Sequence, residues 1–453
     1  MISRNPFTGE QLGSYPELSP VSISLAIRKS HQAFINWRNS SLTVKTQLFA
    51  SLAGVMDAKK RFLAELITNE MGKPIRESVS EIEKCIWLCR HHADPANFDL
   101  APIVVKTEAK LSQVSFEPTG VIFAIMPWNF PFWQVLRFAV PNIMAGNVAL
   151  LKHAPNVTGC GLALEQLFIE AGFAPGIFTT IVIDHLDSEI VIASPFVTGV
   201  TLTGSAKAGS AVASLAGKHI KKCMLELGGS DPFVVFPDAD IETSCVAATR
   251  SRLLNAGQVC IAAKRFIVHE DIIDAFIALQ LEKFEQLRPG DPMDPQTEIG
   301  PLARPDLTDQ IEHQVNESIR MGAKLICGGI RSSGNREIYL PTLLTNVEKG
   351  MPVYDEETFG PVAIIIPFRS KEEAIMRMND TAYGLGASIW TSDEALAEEV
   401  ASRAQAGAVF VNSMTKSDPR LPFGGVKKSG FGRELHSIGM KEFMNTKTTW
   451  IES

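Results

Sequence analysis

The chain has 453 residues, with 43 Lys and Arg against 50 Asp and Glu, a formal net charge of −7. That balance argues against nucleic acid or an anionic membrane surface as the main partner. A hydrophobic content of 45% with 21% charged residues rules out disorder, collagen or coiled coil for the whole chain. Seven scattered cysteines, an odd number, do not form a secreted disulfide framework and direct attention to a lone functional thiol.

The length fits two large domains or three smaller ones. The first ten residues carry no apolar run of the secretory type, so a cytoplasmic location is expected. Apolar residues at i, i+3, i+4 spacing predict helices over 21–37, 42–73 and 75–98. On the third, Cys85 and Cys89 share a face and read as packing; His91 and His92 lack ligand spacing and read as surface. The stretch 121–151 holds one charge, Arg137, but Pro127, Pro131 and Pro141 interrupt it, so it reads as strand, loop and helix, not a membrane span.

From residue 120 the pattern alternates. Strands are expected at 120–125, 147–152, 179–183, 197–201 and 223–227, with helices between them. Such alternation implies right-handed crossovers and a mostly parallel sheet. A second α/β run begins near residue 232, with strands at 232–236 and 265–269 and helices at 241–254, 271–286 and 307–321. The end, 444–451, reads as a strand without a nearby partner in sequence. No internal repeat or low-complexity linker separates the parts.

Four short motifs carry candidate chemistry. Asn129 lies in a rigid Pro127-Trp128-Asn129-Phe130-Pro131 loop, where its amide is a preorganised donor for an oxyanion or a plain turn former. Gly204-Ser205 lies between a strand and a helix, where backbone N–H groups approach a diphosphate. Glu226 ends an apolar strand before Gly228-Gly229, a setting that raises a carboxyl pKa and suits a general base. Cys260 follows Gly257 on a turn, where nearby N–H groups and cations favour a thiolate. Singly, each has an ordinary structural reading.

Together they have a specific order, with steps of 75, 22 and 34 residues between Asn129, Gly204, Glu226 and Cys260. In that order the chain resembles the aldehyde dehydrogenase superfamily. The resemblance runs from Asn5-Pro6-Phe7-Thr8-Gly9-Glu10 through Glu357-Thr358-Phe359-Gly360-Pro361 and Asn379-Asp380-Thr381-Ala382-Tyr383-Gly384-Leu385 to Pro422-Phe423-Gly424-Gly425 and on to Gly430. It implies an α/β fold with a Rossmann-type cofactor domain (1–105 and 119–226, with a return segment about 413–432). A catalytic domain (227–412) and a small oligomerisation arm (106–118 and 433–453) complete it, in a homodimer or homotetramer.

The resemblance also implies roles. Cys260 adds to the aldehyde carbonyl, and the thiohemiacetal oxyanion is held by Asn129 and the Cys260 N–H. Hydride passes to NAD or NADP, and Glu226 activates the water that hydrolyses the thioacyl enzyme. Trp128, Lys152, Gly204, Ser205, Glu357 and Phe359 form the cofactor set; no metal is implied. NAD-selective relatives carry a Glu after Lys-Pro-Ser/Ala, whereas here the run is Lys152-His153-Ala154-Pro155, so use of both cofactors is expected.

For the substrate, Gln134 and Arg137 share one helix face. Arg137, eight residues after Asn129, resembles the position found in succinate semialdehyde dehydrogenases, where a carboxylate is bound. The alternative is an Arg137 paired with a structural carboxylate. Many members of that group carry a second Arg six residues before the cysteine, where this chain has Leu254, so Ser417 in the 413–418 loop is a candidate to complete the site. The rival readings are a broad dehydrogenase of uncharged aldehydes and a non-catalytic structural protein.

Overall fold

The computed structural model describes residues 1–335 and 337–452. Its first sheet is built from Val121–Met126, Val148–His153, Phe178–Thr180, Val197–Thr203 and Lys222–Glu226, all parallel. Val121–Met126 is central: Val148–His153 flanks one side and Val197–Thr203 the other. Its Val-Ile-Phe-Ala-Ile-Met run suits a strand covered on both faces. Because the chain order reverses on either side of this strand, a crevice opens past its carboxyl end. That is where Trp128 and Asn129 lie. The short strand Gly430–Phe431 returns to pair antiparallel with Leu225 and Glu226, closing the same edge of the sheet.

The second sheet has the order Lys324–Cys327, Thr342–Thr345, Val362–Phe368, Ala263–His269, Asp231–Val235, Gly386–Trp390 and Ala408–Val411. Only Lys324–Cys327 runs antiparallel to its neighbour. Each large sheet has its own apolar core. A third, antiparallel sheet joins Met444–Ile451 to Leu111–Pro118 along eight residue pairs, with Ile103–Val104 outside. The terminal strand therefore does find a partner in its own chain, more than 300 residues away. Its other edge is bare among the described residues.

Two local expectations need correction. The helix read over 42–73 is two helices, Leu42–Ala58 and Lys60–Met71, because Lys59 leaves the helical region at φ −104, ψ 8. His92 is not a surface residue: it is buried, with Nδ1 3.1 Å from the Leu88 carbonyl, and burial pulls its pKa down to about 4. Cys85 and Cys89 are buried on the same helix, Ile75–Ala93. No helix among the described residues is long and apolar enough to cross a membrane.

Candidate active site

Cys260 sits on a loop under strain. Helix Ile241–Leu253 ends, and Asn255, Ala256 and Gly257 follow with φ of 54°, 51° and 76°. A left-handed non-glycine residue costs roughly 1–2 kcal/mol, so two in a row persist only where the surroundings hold them. Arg252, fully buried, donates from Nη2 to the Gly257 carbonyl at 2.7 Å. The Asn255 N–H donates to Glu77 at 2.7 Å, and the Gln258 side chain donates to the Asn255 carbonyl at 3.0 Å while accepting from the Ala303 N–H at 2.9 Å. At Gly257 a Cβ would come within 2.2 Å of the Gly360 carbonyl oxygen. Past the loop, Lys264 Nζ donates to the carbonyls of Val259 and Cys260 at 3.2 and 3.1 Å.

The expectation that its neighbours favour a Cys260 thiolate is opposed by burial. Burial pushes the thiol up to about 12; Arg137 pulls it down, and Glu226 adds to the rise. Desolvation outweighs the nearby cation, so the thiol is neutral until a base removes its proton.

Asn129 is buried, and its Nδ2 donates to the Gln258 carbonyl at 2.9 Å, two residues before the cysteine. Its own carbonyl accepts from Asn255 Nδ2 at 3.0 Å. One of its two amide hydrogens is thereby spent on fixing the loop, and one remains. Glu226, at the carboxyl end of its strand, is buried with neither oxygen hydrogen-bonded among the described residues. Burial raises its carboxyl to about 8, with Arg137 opposing and Glu434 adding to the rise. A Cβ on Gly424 would lie 2.8 Å from Glu226 Oε1, so the glycine leaves that carboxylate its room.

The candidate cofactor residues gather at the carboxyl ends of the first sheet. Lys152 belongs to Val148–His153, and burial lowers its pKa. Gly204 and Ser205 precede helix Ala206–Lys218, which Ser205 caps by accepting from the Ala208 N–H at 3.2 Å. A helix N-terminus favours an anion. A Cβ on Gly204 would meet nothing nearer than Leu202 at 3.5 Å, so the approach there is open. Glu357 accepts from the Gly229 N–H at 2.9 Å and lies 3.9 Å from Lys264. Its Oε2 would be 2.2 Å from a Cβ on Gly228, which explains the glycine. Trp128 and Phe359 meet edge to face at 5.7 Å. An anion-favouring helix end, a cation and a hydroxyl-accepting carboxylate suit a dinucleotide. His153 Nε2 donates to the Pro131 carbonyl at 2.9 Å while its Nδ1 accepts from the Ala154 N–H at 2.9 Å, and the ring lends no carboxylate to a ribose.

Cys260, Gln134, Arg137 and Ser417 all line one cavity of about 1060 Å³, which Leu254 also borders. Arg137 is not an unpaired cation there. Its Nε pairs with Glu434, its Nη2 lies 3.9 Å from Glu226, and its guanidinium covers the Phe423 ring at 4.4 Å. A desolvated Arg needs an anion, and Arg137 finds it within the protein, as in the alternative of a structural carboxylate partner. Three residues escaped the sequence reading: Glu434, Arg252 and Lys84. Lys84 Nζ donates to Ser417 Oγ at 2.8 Å across 333 residues of sequence. The available signal was a lysine beside Ile82 and Cys85 on the inner face of an amphipathic helix.

The sequence model described as the aldehyde dehydrogenase family matches residues 1–449. The chain is 45% identical over 447 residues to a probable succinate-semialdehyde dehydrogenase [NADP(+)] of Synechocystis sp., covering 99% of this chain and 98% of that protein. It is 43% identical over 451 residues to the succinate semialdehyde dehydrogenase [NAD(P)+] Sad of Escherichia coli, covering 99% and 97%. Among solved structures, a succinic semialdehyde dehydrogenase of Streptococcus pyogenes in complex with NADP+ superposes with a TM-score of 0.97 at 35% identity, covering all of both chains.

Proposed function

The chain belongs to the aldehyde dehydrogenase family, and from that premise we propose that it oxidises succinate semialdehyde to succinate with NAD or NADP. The supporting observation is the single cavity that takes in the Cys260 thiol and a wall of cations. Six cationic side chains line it against three carboxylates, a field that draws in an anionic aldehyde.

In this reading Glu226, sharing its electrostatic environment with Cys260, takes the thiol proton. The sulfur adds to the aldehyde carbon, and the free Asn129 amide hydrogen holds the oxyanion. The bound nicotinamide supplies the hydride acceptor. Once Glu226 has passed that proton to solvent, it draws another from the water that hydrolyses the thioester and returns it to the leaving sulfur, releasing the acid and the thiol. Lys152, Gly204, Ser205 and Glu357 hold the cofactor, with Trp128 and Phe359 packed beside it. Gln134 and Ser417 line the substrate wall. The first large sheet and the return segment form the cofactor domain, the second sheet the catalytic domain, and the three-stranded sheet an arm that pairs copies of the chain through its bare edge.

A second reading, oxidation of uncharged aldehydes, is favoured by one observation: Glu434 already neutralises Arg137. The deciding experiment follows reduced nicotinamide formation with succinate semialdehyde and with pentanal, an uncharged aldehyde of similar length. The proposed function predicts a kcat/KM at least tenfold higher for succinate semialdehyde, about 1.4 kcal/mol of discrimination. Equal efficiencies would favour the second reading.

A further inference from the structure

With Arg137 committed to Glu434 and Leu254 apolar, a substrate carboxylate needs another cation on the cavity wall. We infer that Lys84, acting with Ser417, is the residue that binds the carboxylate of a short ω-carboxy aldehyde. This rests on the reading of the chain as an oxidiser of that class.

Lys84 projects from helix Ile75–Ala93 into the same cavity as Cys260. Its ammonium lies 4.2 Å from the centre of the Trp133 ring, whose face holds it toward the cavity. The carboxylates whose charge reaches it are engaged elsewhere. Glu81 pairs with Lys73 and accepts from the Phe132 and Trp133 N–H groups at 2.9 and 3.0 Å; Asp418 is gripped by Arg420 at 2.7 Å. Among the described residues no carboxylate lies within ion-pair distance of Lys84. Burial, helped by Arg137, pulls its pKa down to about 8, as expected of a cation awaiting an anion.

Ser417 is arranged to match. Its Oγ accepts from Lys84 Nζ at 2.8 Å and from Trp133 Nε1 at 3.2 Å. A hydroxyl with both lone pairs engaged has only its hydrogen left to offer, and that hydrogen has no acceptor among the described residues. One O–H and the remaining ammonium hydrogens therefore converge on the cavity, where charge-assisted bonds to a carboxylate are strong. Arg137 lies close enough to sense the charge of both Lys84 and Cys260, and all three line the one cavity. Clamp and nucleophile thus face one cavity, as an aldehyde with a carboxylate at its far end requires.

The test is steady-state kinetics on wild type, Lys84→Met and Lys84→Arg, with succinate semialdehyde and pentanal. Losing a charged hydrogen-bond donor costs roughly 10–100-fold, so Lys84→Met raises KM for succinate semialdehyde by that factor while kcat/KM for pentanal stays within about twofold. Lys84→Arg, which keeps the charge, recovers part of the loss. Lys84→Gln, which keeps a polar contact with Ser417, is measured alongside and gives the same readout if Lys84→Met does not fold. An unchanged KM for succinate semialdehyde, or an equal loss on both aldehydes, would overturn the inference and leave the oxidation of succinate semialdehyde standing. A wild type without preference for the carboxylated aldehyde would instead remove the reading on which the inference rests.

Discussion

Arg137 and Lys84 face one cavity from two different helices and are held in opposite ways. Arg137 is buried against Phe423, with Glu434 and Glu226 around it. Lys84 has a serine hydroxyl and an aromatic face, and no carboxylate. The guanidinium therefore balances two buried carboxylates and tunes the base, whereas the ammonium keeps its charge available to a ligand. A buried cation indicates substrate chemistry only once its partners are known.

The largest test of that contrast removes the base that Arg137 tunes. Glu226→Gln should lower steady-state turnover by about 10²–10⁴-fold and slow the first burst of reduced nicotinamide as well, seen by rapid mixing, because the thiol then lacks its base; undiminished turnover would show that Glu226 is not that base. Removing the guanidinium comes next. Arg137→Met strands Glu434 and Glu226 without their cation, which should cost about 3–5 kcal/mol of stability, read by denaturant unfolding. Activity should fall on charged and uncharged aldehydes alike. A loss confined to succinate semialdehyde would return the carboxylate to Arg137.

A smaller effect concerns the loop. Gly257→Ala puts a Cβ against the Gly360 carbonyl at a left-handed backbone, so kcat should drop on both aldehydes with little change in KM, as expected when a nucleophile shifts by a fraction of an ångström. The smallest is a pH effect. Burial holds the Glu226 carboxyl near 8, so at pH 7 it is mostly protonated and its base form grows as pH rises. Acid release should therefore accelerate through pH 8 and level off above it, in single-turnover hydrolysis; a rate that falls across that range would contradict the assignment.

The strands of the first sheet and their parallel run were legible because each is a short apolar run between helix signals, and the carboxyl ends of those strands carry the motifs; their order in the sheet was not. Asn129, Glu226 and Cys260 were readable because each sits at a strand end or turn with glycine or proline beside it. The break at Lys59 was not, since a single residue leaving helical geometry barely alters the apolar period. Glu434 and Lys84 were hidden for another reason. Their significance lies in contacts with Arg137 and Ser417 made across about 300 residues, and the helix face that carries Lys84 does not by itself name its partner.

The most direct measurement is the ratio of kcat/KM for succinate semialdehyde over pentanal in wild type, Lys84→Met and Arg137→Met, a ratio insensitive to the fraction of active enzyme. The account predicts a ratio that collapses in Lys84→Met and survives in Arg137→Met. A ratio preserved in Lys84→Met and lost in Arg137→Met would contradict it.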